Sequence, residues 1–189
     1  MLVARALEFA ARKHSAQRRK GLAAEPYVNH LAEVALLLAV ACGGRDPELV
    51  AAGLLHDTLE DTRTEAAELE REFGAGVLAL VREVSDDKSL PREERKRLEV
   101  ERAGGRSARA RMIKLADKTS NLRSLLASPP VGWSRRRRLE YFRWAAQVAE
   151  RCRGVSLALE AAFDRACREG LAMRGAPGQR PEGRPGERR

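Results

Sequence analysis

From Ala51 the chain reads AAGLLHDTLEDT, an apolar helical run that takes in His56, Asp57, Glu60 and Asp61 within six residues. A soluble protein seldom buries that much charge without compensation. A fold for this chain must bury the flanking leucines and also bring a partner of opposite sign to the acids. A metal ion is the simplest such partner, and it needs further ligands from elsewhere in the chain.

Nearly every other segment repeats its apolar residues at helical period, and no alternating strand pattern stands out. A first helix is predicted over 2–19, with Leu2, Ala6, Phe9 and Ala10 on one face. A second is predicted from about His30 to Cys42. The segment GGRDP then breaks the chain, with Asp46 as N-cap and Pro47 in the first turn of a third helix running to about Asp61. Thr62 and Glu65 have capping-box spacing for a helix ending near Gly74. Further helices fit 76–86, 91–102 and 107–127. After SPPVGW, Ser134 caps a helix to about Arg153, and a last one covers about 155–169. The fold class is all-α, one domain of about 8–10 helices over 1–170. The Gly-, Pro- and Arg-rich residues 171–189 form a tail expected to be disordered.

In the predicted third helix, His56 and Glu60 stand at i, i+4, as do Asp57 and Asp61, on adjoining faces. A metal can take His56 and Asp57 in succession, with Glu60 and Asp61 one turn on, placed to reach a water beside it. His30 opens the second helix after PYVN. Asp117 lies in IKLADKTSNL, where Lys114, Asp117 and Asn121 make a polar stripe opposite Met112, Leu115 and Leu122. Two imidazoles and two carboxylates form a mixed N/O set that suits Mn²⁺, and Fe²⁺ or Zn²⁺ less well. It is not a thiolate zinc site.

His30, His56-Asp57 and Asp117 follow the H…HD…D order of the HD metal-dependent phosphohydrolases. HSAQRRK, PYVNH, LLHDTLEDT, FGAGVLALVREVSDDKSLP, KLADKTSNLRSL and GWSRRRRLEYFRWAAQV together resemble the stand-alone Mesh-type small alarmone hydrolases, relatives of the hydrolase domain of RelA/SpoT homologues. The resemblance covers about residues 2–155. It implies an orthogonal helical HD fold, a Mn²⁺ ion, and removal of the 3′-diphosphate of guanosine tetra- or pentaphosphate to leave GDP or GTP and pyrophosphate. It implies His30, His56, Asp57 and Asp117 as metal ligands and Glu60 and Asp61 as the catalytic acids. It implies substrate contacts at Arg19, Lys20, Asn121, Arg137 and Tyr141. Two positions depart from the family: Leu31 where Pro usually follows the ligand His, and Ser120 where an aromatic or His is common. No synthetase domain is expected to follow, so the expected role is degradation of the nucleotide.

Blander readings apply to other features. His14 reads as a structural histidine. Of Arg135 to Arg138 only Arg137 is expected to meet a ring, stacking beneath Tyr141 at i, i+4. Trp133 and Trp144 read as packing residues, and SDDKSLPREERKR as a solvated helix start.

The net charge of +9 raises nucleic acid as a partner, but residues 171–189 hold five Arg and two Glu, which is +3 of it. A basic nucleic-acid-binding module would leave the metal constellation without a use. Other HD phosphatase substrates, a deoxynucleoside monophosphate or the phosphate of NADPH, stay open, as does a sensor that binds without cleaving. No run of roughly 18 apolar residues occurs, so no membrane span is expected. The N-terminus lacks the form of a secretory signal. Cys42, Cys152 and Cys167 share no metal-type spacing and read as reduced thiols of a cytoplasmic protein. A monomer is the default expectation.

Overall fold

The computed structural model describes residues 1–172, and the expected disordered tail lies outside them apart from its first two residues. Among the described residues the secondary structure is helical, in ten helices. In chain order they are α1 (Leu2–Lys13), α2 (Val28–Ala41), α3 (Pro47–Leu55), α4 (Thr58–Asp61), α5 (Ala66–Phe73), α6 (Ala75–Val84), α7 (Arg92–Ala103), α8 (Ala108–Ala127), α9 (Arg135–Arg151) and α10 (Leu157–Ala172). The all-α expectation holds.

Helix α3 is the hub. Its residues Leu49 to Leu55 are all buried, as expected of a helix that is apolar all round. It packs against α1, α2, α6 and α8. Asp46 caps it, accepting from the Leu49 N–H, with Pro47 at its start. Gly53 allows the close approach to α2, since a Cβ there would stand 2.4 Å from Leu38 Cδ1. Helix α8 is braced by α2 and α10, and α7 packs on α9. The C-terminal ends of α3 and the middle of α8 thus meet the start of α2 in the interior.

Three expected boundaries move, each for a local reason. Helix α1 stops at Lys13 rather than 19. Its C-cap is His14, and residues 17–27 fold back on themselves through Tyr27 N–H to Gln17 O (3.1 Å) and Arg19 N–H to Glu25 O (2.9 Å). This loop meets the segment after α8 at a Gly21–Pro130 bridge. A Cβ at Gly21 would lie 2.3 Å from the Ser128 carbonyl oxygen. The third helix does not run through to Asp61. It ends at Leu55, and a separate turn, α4, begins at Thr58. Asp57 between them takes φ −95° and ψ −1°, the bridge conformation frequent at active sites. The Thr62–Glu65 capping box does not form. Thr62 Oγ1 instead donates to the Thr58 carbonyl (2.6 Å) and accepts from the Thr64 N–H (3.1 Å). Ser134 does cap α9, accepting from the Arg137 N–H.

Candidate metal centre and phosphate cleft

The broken helix delivers His56 and Asp57 to one point, where α2 contributes His30 and α8 contributes Asp117. His56 Nε2 lies 3.0 Å from Asp57 Oδ2 and 3.7 Å from Asp117 Oδ1. His30 Nε2 lies 3.4 Å from Asp117 Oδ1 and 3.7 Å from Asp57 Oδ2. Ligand atoms of His30, His56 and Asp117 all lie within 4.8 Å of one another, close enough for one ion, and Asp57 Oδ2 stands beside both imidazoles at 3.0 and 3.7 Å. Both histidines are buried.

The tautomers follow from the other ring nitrogens. His56 Nδ1 faces the Gly53 carbonyl at 2.8 Å, an acceptor only, so it carries the proton. Ser120 Oγ donates its hydrogen to Glu33 Oε2 (2.7 Å), so His30 Nδ1, 2.8 Å from that oxygen, must be the donor to it. Each neutral ring is left with a bare Nε2. Both Nε2 atoms are buried with no hydrogen-bond partner in the protein. Buried polar atoms without partners are rare and costly, and a divalent cation satisfies these two and the two carboxylates together. In the protein alone a proton can serve instead. Burial opposes the His56 cation, but Asp57 and Asp117 overcome it and push the group up to about 10. His30 is held below its ordinary value by burial. Burial also opposes the charged forms of Asp57 and Asp117, yet both are held below the usual carboxylate range, Asp57 chiefly by His56 and Asp117 chiefly by Lys118.

The carboxylates are oriented from behind. Tyr27 donates to Asp57 Oδ2 at 2.6 Å, and its phenol is pushed well above its ordinary value by burial and by that carboxylate. Lys118 holds Asp117 Oδ2 at 3.0 Å, and Asn121 donates to Asp117 Oδ1 at 2.6 Å. Arg19 donates to Asn121 Oδ1 at 3.1 Å.

The centre opens into a cleft of about 430 Å³. Glu60 and Asp61 line it, as do Arg19, Lys20, Asn121 and Tyr141. Glu60 accepts from the Asp86 N–H (3.1 Å) and faces Arg95 (3.8 Å). Burial, aided by the charges of Asp57 and Asp86, pushes it up to about 7. Asp61 accepts from Gln17 (2.9 Å) and pairs with Lys88.

Arg137 departs from its expected place. Its guanidinium lies 4.4 Å from the Trp133 ring centroid, not beneath Tyr141, because the loop before α9 brings that indole over the helix start. It lines a basin of about 330 Å³ that shares Trp133, Tyr141, Arg92 and Lys96 with the main cleft.

Several cleft residues escaped sequence reasoning. Lys88, Arg92, Arg95 and Lys96 line the cleft, so the segment read as solvated supplies a cationic wall. Arg92, Arg95 and Lys96 stand at i, i+3, i+4, a one-face spacing that could have marked them. Trp133 and Trp144, read as packing, also line the cleft. Trp144 donates to the Lys96 carbonyl (3.1 Å) and lies under the Lys118 ammonium at 4.7 Å. Tyr27 and Gln17 carried no signal beyond their place in PYVNH and QRRK. His14 is the structural histidine expected, buried, stacked on Tyr27 and bonded to Gln17 at 2.6 Å. Cys42, Cys152 and Cys167 are free thiols.

Residues 6–152 match the family model described as HD domain. The chain is 52% identical over 158 residues to the human protein named guanosine-3′,5′-bis(diphosphate) 3′-pyrophosphohydrolase MESH1, a match spanning 84% of this chain and 88% of that protein. It is 47% identical over 163 residues to the Drosophila melanogaster protein of the same name, spanning 86% and 91%. A solved structure described as "A metazoan ortholog of SpoT hydrolyzes ppGpp and plays a role in starvation responses" superposes with a TM-score of 0.85 at 45% identity, covering 89% of this chain and 94% of the other.

Proposed function

This chain belongs to the HD domain family, and from that membership, its relatives and its site we propose that it is a guanosine-3′,5′-bis(diphosphate) 3′-pyrophosphohydrolase. The observation that carries the reading is the pair of buried, unpartnered Nε2 atoms of His30 and His56 facing Asp57 and Asp117 at the floor of a cationic cleft. His30, His56, Asp57 and Asp117 would hold a divalent ion; their mixed N/O set suits Mn²⁺, and Fe²⁺ or Zn²⁺ less well. When bound, that ion supplies Lewis-acid activation of water and of a phosphoryl oxygen. Residues 1–170 act as the hydrolase domain, and the protein works in the cytoplasm.

The other steps fall to the chain's own groups. Glu60, with its carboxyl up to about 7, accepts a proton from the attacking water near neutral pH. Asp61, fixed by Gln17 and Lys88, orients that water. The water oxygen attacks the phosphorus bonded to the ribose 3′-oxygen. The bond from that phosphorus to the 3′-oxygen breaks, the 3′-oxygen takes a proton, and pyrophosphate leaves. Arg19 and Lys20 grip the departing diphosphate, and the α7 cations neutralise charge that grows on it. Asn121 contacts the ribose region. Arg137 and Tyr141 meet the rest of the nucleotide, with Trp133 beside them.

A deoxynucleoside monophosphate brings a single phosphate to a cleft lined by Arg19, Lys20, Lys88, Arg92, Arg95 and Lys96. A substrate panel tests the reading. The value of kcat/KM is expected to be at least ~100-fold higher for guanosine tetraphosphate than for NADPH or dGMP, a difference of about 2.7 kcal/mol. Equal or reversed values would assign the cleft to another nucleotide.

A further inference from the structure

The hydrogen bonds behind His30 run further than those behind His56. His56 Nδ1 ends on a backbone carbonyl of its own helix. His30 Nδ1–H donates to Ser120 Oγ on α8 (2.8 Å), Ser120 donates to Glu33 Oε2 on α2 (2.7 Å), and Glu33 Oε1 accepts from Arg123 (2.9 Å). The imidazole and the hydroxyl are both buried. Glu33 keeps about a third of its side chain in solvent. It lines a cavity of about 190 Å³ that also touches His30, Ser120 and Arg123. A negative charge near the surface is therefore linked to the candidate metal centre by two hydrogen bonds that point the same way.

We infer that Glu33, acting through Ser120, is a positioning residue for the metal: it fixes the His30 tautomer and ring plane and strengthens Nε2 as a donor. The proposal rests on the metal-site reading above. Its physical basis is the order of the protons. A carboxylate only accepts, so the Ser120 hydrogen is committed to Glu33. The Ser120 oxygen then can only accept from His30 Nδ1, which leaves Nε2 deprotonated and aimed at Asp57 and Asp117. Carboxylates behind ligand histidines act in this way when they bond directly. Here a serine hydroxyl spans the gap between α2 and α8. This gives Ser120, the position that departs from the family pattern, a role in metal binding. Removing the hydroxyl frees the ring to flip or to change tautomer. Removing the carboxylate frees the hydroxyl to donate to His30 instead, which moves the ring proton to Nε2 and blocks ligation.

The test is calorimetric titration of Mn²⁺ into the metal-free full chain, with thermal melting of each variant measured alongside. Ser120→Ala and Glu33→Ala are each expected to weaken Mn²⁺ binding by about 10- to 100-fold. Their double variant is expected to bind no worse than Ser120→Ala, because both changes cut one path. Ser120→Thr keeps the hydroxyl and is expected to restore affinity. Glu33→Gln keeps an acceptor without the charge and is expected to fall between the parent and Glu33→Ala. Glu33 is partly exposed, so its variants report even where Ser120→Ala fails to fold. A merely structural tie between α2 and α8 would lower the melting temperature and leave the Mn²⁺ dissociation constant unchanged, which overturns the proposal. Losses that multiply in the double variant overturn it too. A parent chain that binds no Mn²⁺ overturns the metal-site reading and this proposal with it, whereas a parent that binds and variants that match it overturn this proposal alone.

Discussion

Asp57 does two things that its neighbours in sequence cannot. Its backbone breaks the helix in the bridge conformation, and its carboxylate meets His56 Nε2 at 3.0 Å. Asp57→Ala is expected to abolish metal retention and turnover while the helical circular dichroism stays. Retained turnover with added Mn²⁺ would remove Asp57 from the ligand set. In the proposed mechanism Glu60 is the residue whose ionisation sets the rate. Its folded value lies near 7, above the usual carboxylate range, so the base form grows as pH rises through 7. The value of kcat is expected to rise over that interval and level off above it. Glu60→Gln is expected to lose that limb and about 10²- to 10⁴-fold in kcat, with nucleotide affinity near the parent's. A limb that persists in Glu60→Gln would give the proton to another group. The four candidate ligands could be named from the sequence because the order H…HD…D needs only the adjacency of His56 and Asp57, which the break after Leu55 leaves intact. Glu33 could not, because its link to His30 exists only once α2 and α8 pack together.

At the scale of elements, α7 and α8 are tied by a buried charge cluster. Glu99 on α7 meets Lys118 at 2.8 Å and Lys114 at 3.1 Å, all three nearly inaccessible to solvent. Lys118 also holds Asp117, so the tie links the cationic wall to the metal centre. Removing the one acid leaves two buried ammonium groups facing each other. Glu99→Ala is expected to cost about 3–5 kcal/mol in urea unfolding, and a loss below ~1 kcal/mol would show that water screens the cluster. Burial opposes the Glu99 carboxylate, yet Lys118 and Lys114 hold it down at about 2. A carboxyl depressed in the folded state stabilises above its unfolded value and stops doing so as pH falls through the folded one. The parent is therefore expected to lose stability relative to Glu99→Gln between about pH 4.5 and pH 2, and parallel pH profiles would contradict this. Helices α7 to α9 were placed within a few residues from period and breakers. The function of α7 was hidden because a dense mixed-charge run reads as a solvated face until a partner helix turns three of its cations inward. The break in α3 was hidden because an apolar periodic run gives no sign of one residue leaving helical geometry.

As a whole, the molecule sets a small acidic candidate metal centre beside a cleft rich in Arg and Lys. In the proposed function the acids take a cation and the outer ring of Arg and Lys takes a polyanion. Screening should weaken the outer ring more than the buried centre. Raising salt from 50 to 500 mM is expected to raise KM for guanosine tetraphosphate several-fold with kcat little changed, and a salt-independent KM would place the substrate away from the cationic wall. Among the described residues no helix is long and apolar enough to cross a membrane. The most direct measurement is to incubate the metal-free chain with guanosine tetraphosphate, with and without Mn²⁺, and to separate the products by chromatography. GDP and pyrophosphate, formed only when the ion is added, are the expected result. Release of orthophosphate, or the same products without any divalent ion, would contradict the assignment of bond or of metal.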